Sequence, residues 1–187
     1  MFRGMDFGRV NLNAGRYLII AVLLFIGRAA RSGDMSLEST GIRWAFSSKE
    51  RNSGMNETDV FLNSKLPWHW DLNHNWSLQT RLDFSAGWLK RSQDDAGVFS
   101  LGPALVVRRD QIPVSLVAGS SPAILTRHNF DHLDIGSSIQ FGTHAGLDWD
   151  VTRHLRIGYR FEHMSNAGLA SPNPGINFHF FGASYLF

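Results

Sequence analysis

The stretch "WSLQTRLDFSAGWLK", Trp76–Lys90, alternates along its whole length. Trp76, Leu78, Leu82, Phe84, Ala86 and Trp88 fall on one parity, broken only by Thr80. Ser77, Gln79, Arg81, Asp83 and Ser85 fall on the other. A period of two marks a β-strand whose two faces meet different surroundings. The polar parity carries an arginine and an aspartate at mid-strand. A soluble sandwich would have to exclude such charges from its core, whereas the interior of a membrane barrel accommodates paired charges and water.

The same alternation recurs eight times, at roughly 40–49, 58–69, 76–90, 96–109, 113–127, 136–150, 154–166 and 175–187. In the sixth segment Ile139, Phe141, Ala145, Leu147 and Trp149 oppose Ser138, Gln140, His144, Asp148 and Asp150. In the seventh, Leu155, Ile157, Tyr159 and Phe161 oppose Arg156, Gly158, Arg160 and Glu162. Pro103 and Pro122 blur the fourth and fifth, because proline lacks a ladder donor. Trp68, Trp70, Trp76 and Trp149 gather at one set of strand ends and Trp88 lies toward the other, as in interfacial girdles. In lipid a sheet must close so that no edge is left unpaired. The sequence therefore predicts an all-β chain, an eight-stranded antiparallel transmembrane β-barrel. Eight strands leave an interior filled by side chains, not a pore.

Connection lengths orient this barrel. With both termini periplasmic, "DLNHN", "DQI" and "VTR" are short inner turns. "KERNSGMNE", "RSQDD", "HNFDHLDIG" and "AGLASPNPG" are outer connections, expected to be longer. The final strand ends on Phe187 with Tyr185 two before it. Such a terminal aromatic resembles the assembly signal of outer-membrane barrels.

Residues 1–32 hold five basic residues (Arg3, Arg9, Arg16, Arg28, Arg31) and one acid, Asp6. Subtracting them from 18 basic and 16 acidic residues leaves 13 and 15, so the remainder is slightly acidic. The basic character belongs to the leader, and nucleic acid is not an expected partner. Within the leader, "YLIIAVLLFIG" (Tyr17–Gly27) is 11 residues long, short of the ~20 a spanning helix needs. Basic start, short apolar core and small residues at Ala30 and Ser32 make a signal peptide over 1–32, with the barrel over 33–187. There is no cysteine, which excludes thiol catalysis and disulfides. No cofactor or metal centre is expected. His128, His132, Asp131 and Asp134 share one outer connection, which fits solvated loop polarity better than metal ligation. Lys49, Arg51, Lys90, Arg91 and Arg127 fall at outer strand ends, either as a charged rim or as contacts for lipid phosphates.

One strand breaks its own pattern. The apolar parity of Leu155, Ile157, Tyr159 and Phe161 continues into His163 and Ser165. Residues i and i+2 point the same way, about 6.5–7 Å apart. His163 and Ser165 are thus expected to face lipid at the outer end of the seventh strand. An imidazole beside a hydroxyl is the Ser–His half of a nucleophilic site, placed where acyl chains reach it and water-soluble substrates do not. An ordinary polar rim would also give this pair.

"HMSNAGLASPNPGINF", His163–Phe178, followed by an aromatic C-terminus, resembles the lipid A 3-O-deacylases of the PagL family. The shared pattern is His-x-Ser-Asn-Ala-Gly, then a Pro-Asn-x-Gly turn and a last strand. Elsewhere the likeness is one of architecture. The resemblance implies an outer-membrane serine esterase that removes the 3-O-linked hydroxyacyl chain from the lipid A of lipopolysaccharide in a Gram-negative outer membrane. It implies Ser165 as nucleophile and His163 as general base. Asn166, through its side chain, and the backbone N–H groups around Ala167 and Gly168 are the nearest oxyanion donors. Where the family carries a glutamate two residues after the turn glycine, this chain has Asn177. Its parity matches Phe181 and Tyr185, beside His163 on the neighbouring strand, and a neutral amide there can still orient the imidazole. Glu162 has the opposite parity and is expected to pair inside with Arg160 or Arg156. Two other readings use the same residues: a non-catalytic barrel that binds lipopolysaccharide, and a phospholipase-like esterase. A homodimer is compatible with all three.

Overall fold

The computed structural model describes residues 35–48, 54–73 and 75–187. The signal peptide expected over 1–32 lies outside them, as do Lys49 and Arg51. Eight strands form the barrel: β1 (Ser36–Ser47), β2 (Met55–Asn73), β3 (Trp76–Arg91), β4 (Asp94–Arg109), β5 (Val114–Leu125), β6 (Ile139–Asp150), β7 (Leu155–Ser165) and β8 (Ile176–Leu186). Each pairs antiparallel with its sequence neighbours, and β8 closes on β1 from Ser39↔Leu186 to Ser47↔Phe178. The fold is the transmembrane β-barrel that the alternation predicts.

Three details differ from the sequence reading. β1 begins four residues earlier and β2 runs on to Asn73 across an irregularity between Lys65 and His69, where Pro67 cannot donate to a ladder. The β3–β4 connection, expected to be long, contains only Ser92 and Gln93, with Ser92 at φ 52°. The β5–β6 connection carries a two-residue hairpin, Asn129–Phe130 against Leu133–Asp134. Two other prolines share one seam. β4 and β5 pair at Ser100↔Ala123 and again at Ala104↔Gly119, and Pro103 and Pro122 lie between.

The outer face is apolar, with Ile42, Trp44, Val60, Phe84, Trp88, Leu147 and Phe181 exposed. A row of exposed apolar residues on every strand is what a bilayer stabilises. The inner face holds the charges, arranged in pairs. Arg81 donates to Asp83 at 2.6 Å and Asp148 at 2.9 Å; Arg156 donates to Asp150 at 2.5 Å and Glu38 at 3.2 Å. Arg43 binds Asp59 through two bonds of 2.8 Å. Glu162 faces inward, 4.0 Å from Arg160. Two interior cavities of about 30 and 20 Å³ have room for little more than a water molecule each.

The end of the barrel that carries the longer connections is closed by an apolar cluster. Met55, Leu89, Val98, Leu125, Phe130, Ile135, Met164, Ile176 and Phe178 pack together there. Phe130 reaches in from the β5–β6 connection, and Arg91 donates to its carbonyl at 3.0 Å. Arg127 pairs with Asp94, and Asp131 N–H donates to Asp94 Oδ2 at 2.6 Å. Arg91 and Arg127 thus hold the loop in place.

Candidate active site on the outer face of β7 and β8

In the β7–β8 ladder His163 is directly opposite Asn177. Inward-facing neighbours fix this register. Met164, Ile176 and Phe178 are 3 %, 2 % and 0 % exposed, and burying side chains of this size stabilises by about 1.5–3 kcal/mol each. A slip of one residue would throw all three out to lipid. The alternate parity therefore turns His163, Ser165 and Asn177 outward. His163 is exposed; Ser165 and Asn177 are half-buried.

His163 Nδ1–H donates to Asn177 Oδ1 at 2.7 Å. This bond fixes the ring plane and places the proton on Nδ1, which leaves Nε2 as the basic nitrogen. Ser165 follows on the same face. Among the described residues no hydrogen bond joins its hydroxyl to His163, and such contacts tighten when substrate binds. Opposite Ser165 stands Phe141, whose parity is outward yet which is 4 % exposed. Ser165 thus has a covered apolar neighbour.

Gly175, at φ 64°, packs against the imidazole: a Cβ built on it would lie 2.8 Å from His163 Cε1 and 3.3 Å from Nε2. The left-handed backbone favours glycine, and the missing side chain makes room for the ring. Its cue in the sequence is the Pro-Gly dipeptide before the last strand.

The Asn166 side chain has a different task from the one expected. It is fully buried, and Nδ2 donates to the carbonyls of Ile135, Ala170 and Pro172 at 3.0–3.1 Å. Its Oδ1 accepts from Gly168 N–H at 2.9 Å, and its own N–H donates to Asn173 Oδ1 at 3.1 Å. Asn166 clasps the β7–β8 connection to the β5–β6 connection, so neither its amide nor Gly168 N–H is free for an oxyanion. Ala167, at φ 52°, is half-buried, and among the described residues no partner is found for its N–H.

Outward polar groups form a band at this height. Ser120 and Thr143 are hydrogen bonded at 3.1 Å, Thr143 is opposite His163, and Ser48 N–H donates to Asn177 O at 2.8 Å. Among the described residues no group of three metal-ligating side chains occurs. His128 is hydrogen bonded to Asp134 at 3.1 Å instead.

The chain is also similar to known proteins. Residues 56–185 match the family model described as lipid A 3-O-deacylase (PagL). The chain is 43 % identical over 60 residues to the lipid A deacylase PagL of Bordetella bronchiseptica, a match covering 32 % of this chain and 34 % of that protein. That alignment spans about a third of the relative's length. A crystal structure of the outer membrane enzyme PagL superposes with a TM-score of 0.69 and 19 % identity, over 78 % of this chain and 97 % of that one. This structural likeness supports the fold, while the family model spans seven of the eight strands and the whole candidate site. The chain belongs to the lipid A 3-O-deacylase (PagL) family.

Proposed function

We propose that this protein is an outer-membrane serine esterase that removes the 3-O-linked hydroxyacyl chain from lipid A. The His163–Asn177 hydrogen bond on the bilayer side of the barrel, with Ser165 next along the same face, carries the reading. A base oriented toward lipid has use only for a substrate that lies in lipid. The leader over 1–32 is read as the export signal that brings the chain to that membrane.

His163 Nε2 accepts the Ser165 proton as Oγ attacks the ester carbonyl carbon. Ala167 N–H, left without a partner among the described residues, is the backbone donor assigned to the developing oxyanion. On collapse His163 returns the proton to the sugar oxygen, which leaves as a hydroxyl, and the acyl group remains on Ser165. Water, deprotonated by His163, then releases the fatty acid and restores the serine. Asn177 holds the imidazole throughout but adds no negative charge. The imidazolium is therefore less stabilised than beside a carboxylate.

A fluorophosphonate probe tests the nucleophile in detergent-solubilised protein. Labelling is expected on Ser165 in wild type, reduced at least tenfold in His163→Ala. Labelling of another serine, or none, would contradict the assignment.

A further inference from the structure

A second polar chain lies beside the first on the same lipid-facing surface. His179 is on the outward parity of β8, one step further from the loops than Asn177. Its Nδ1 is hydrogen bonded to the Tyr159 hydroxyl at 2.9 Å and its Nε2 to Ser48 Oγ at 3.1 Å. Tyr159 and His179 come from the neighbouring strands β7 and β8, and Ser48 directly follows the end of β1. Aromatic rings enclose the imidazole: Phe46 stacks on it at 5.4 Å and Phe161 meets it edge-on at 5.3 Å. Since Ser48 N–H binds Asn177 O, the Ser48 end of the chain is level with the His163–Asn177 pair. The Tyr159 end is level with Phe181, further down the barrel wall.

Counting hydrogens shows what this arrangement offers. Two hydroxyls and an imidazole carry at least three polar hydrogens between them, and their two mutual bonds consume two. If Tyr159 donates to Nδ1, Nε2–H donates to Ser48 and the Ser48 hydrogen is left over. If Ser48 donates to Nε2, Nδ1–H donates to Tyr159 and the Tyr159 hydrogen is left over. Protonating the imidazole frees both. Among the described residues no other acceptor takes this remaining O–H, and at the bilayer an unpaired donor is costly. On a face covered by acyl chains, the acceptor at hand is an oxygen carried by a lipid.

We infer that Ser48, His179 and Tyr159 form a binding site for an acceptor oxygen carried by an acyl chain, either a hydroxyl on the chain or the carbonyl of its ester. The site holds the acylated lipid against β1 and β8, level with Ser165 and His163. This rests on the membrane-facing reading of the surface and not on hydrolysis, so it is tested in a Ser165→Ala background.

The measurement is NMR of the ring resonances of histidine-labelled protein in detergent micelles. Three probes are titrated: methyl 3-hydroxytetradecanoate, methyl tetradecanoate and tetradecane. The His179 resonances are expected to shift with an oxygenated chain and not with tetradecane. Response to the hydroxy ester alone assigns the site to the chain hydroxyl; equal response to both esters assigns it to the carbonyl. Ser48→Ala and Tyr159→Phe each remove one of the two hydroxyls and keep the His179 reporter; Tyr159→Phe also keeps a ring against Phe181. Each is expected to weaken oxygenated-probe binding about tenfold, the equivalent of about 1.4 kcal/mol. Equal response to all three probes, or unaltered ester binding in both variants, would overturn the site. Since no arm requires turnover, an inactive wild type would count against the esterase reading alone.

Discussion

His163 and Asn177 face each other across β7 and β8, joined by a 2.7 Å hydrogen bond from Nδ1–H to Oδ1. The pair stands on the outside of a barrel whose inside is filled with paired charges. In the proposed reaction the pair is a base and its orienter, in a place where only lipid can bring a substrate. Asn177 supplies direction without charge, and the first prediction follows from that division.

Asn177→Ala removes the acceptor and frees the imidazole. Deacylation is expected to fall about tenfold to a hundredfold, since loss of one orienting hydrogen bond is equivalent to about 1.5–3 kcal/mol when the partner is charged in the transition state. Asn177→Glu keeps the acceptor and adds charge, so activity is expected to hold or rise. Initial rates of fatty-acid release from lipid A in micelles measure both. A sharp drop in Asn177→Glu would mean that the amide has a further role.

Gly175→Ala sets a methyl group 2.8 Å from His163 Cε1. The ring must swing away, and the left-handed backbone adds about 1–2 kcal/mol of strain. Activity is expected to fall more than tenfold while the barrel stays folded, as judged by its heat-modifiable migration on gels. Undiminished activity would show that His163 works from another position.

Asn166→Ala strips three loop carbonyls of their shared donor. Leaving such groups unsatisfied costs about 1–3 kcal/mol. Both the β5–β6 and β7–β8 connections are expected to become protease-sensitive together. Lost activity with both loops still protected would instead indicate a direct part in the chemistry.

The β5–β6 connection should respond to acid. Gly136 N–H, and after it His128, hold the Asp134 carboxyl below the usual carboxylate range. A depressed folded value means that the contribution is present above the unfolded value of about 3.9 and is lost as pH falls through the folded one. Hydrogen exchange of residues 128–136 is expected to quicken below about pH 4, and Asp134→Asn should remove that dependence. An acid response unaltered in Asp134→Asn would place its origin elsewhere.

The barrel was legible because each strand separates lipid from a charged interior, and that contrast writes itself into the sequence with a period of two. The seventh segment shows it best: the parity of Leu155 to Phe161 carries His163 and Ser165 outward without any knowledge of three-dimensional contacts. The β3–β4 connection was misread because strand ends are set by pairing, and Lys90↔Asp95 and Arg91↔Asp94 extend the ladder into residues that read as loop. The work of Asn166 was hidden because its partners are backbone carbonyls, which carry no sequence signature. One of them, Ile135, lies on a different connection. His179 was legible in principle. Like His163 it is a polar residue on an apolar parity, but Ser48 and Tyr159 come to it only when β1 and β8 close the barrel.

The most direct test is the mass of lipid A from Gram-negative outer membranes containing the wild-type protein, Ser165→Ala or His163→Ala. Loss of one hydroxyacyl group in the wild type, absent in both variants, is the predicted result. Lipid A unchanged by the wild-type protein, or shortened equally by a folded Ser165→Ala variant, would contradict it.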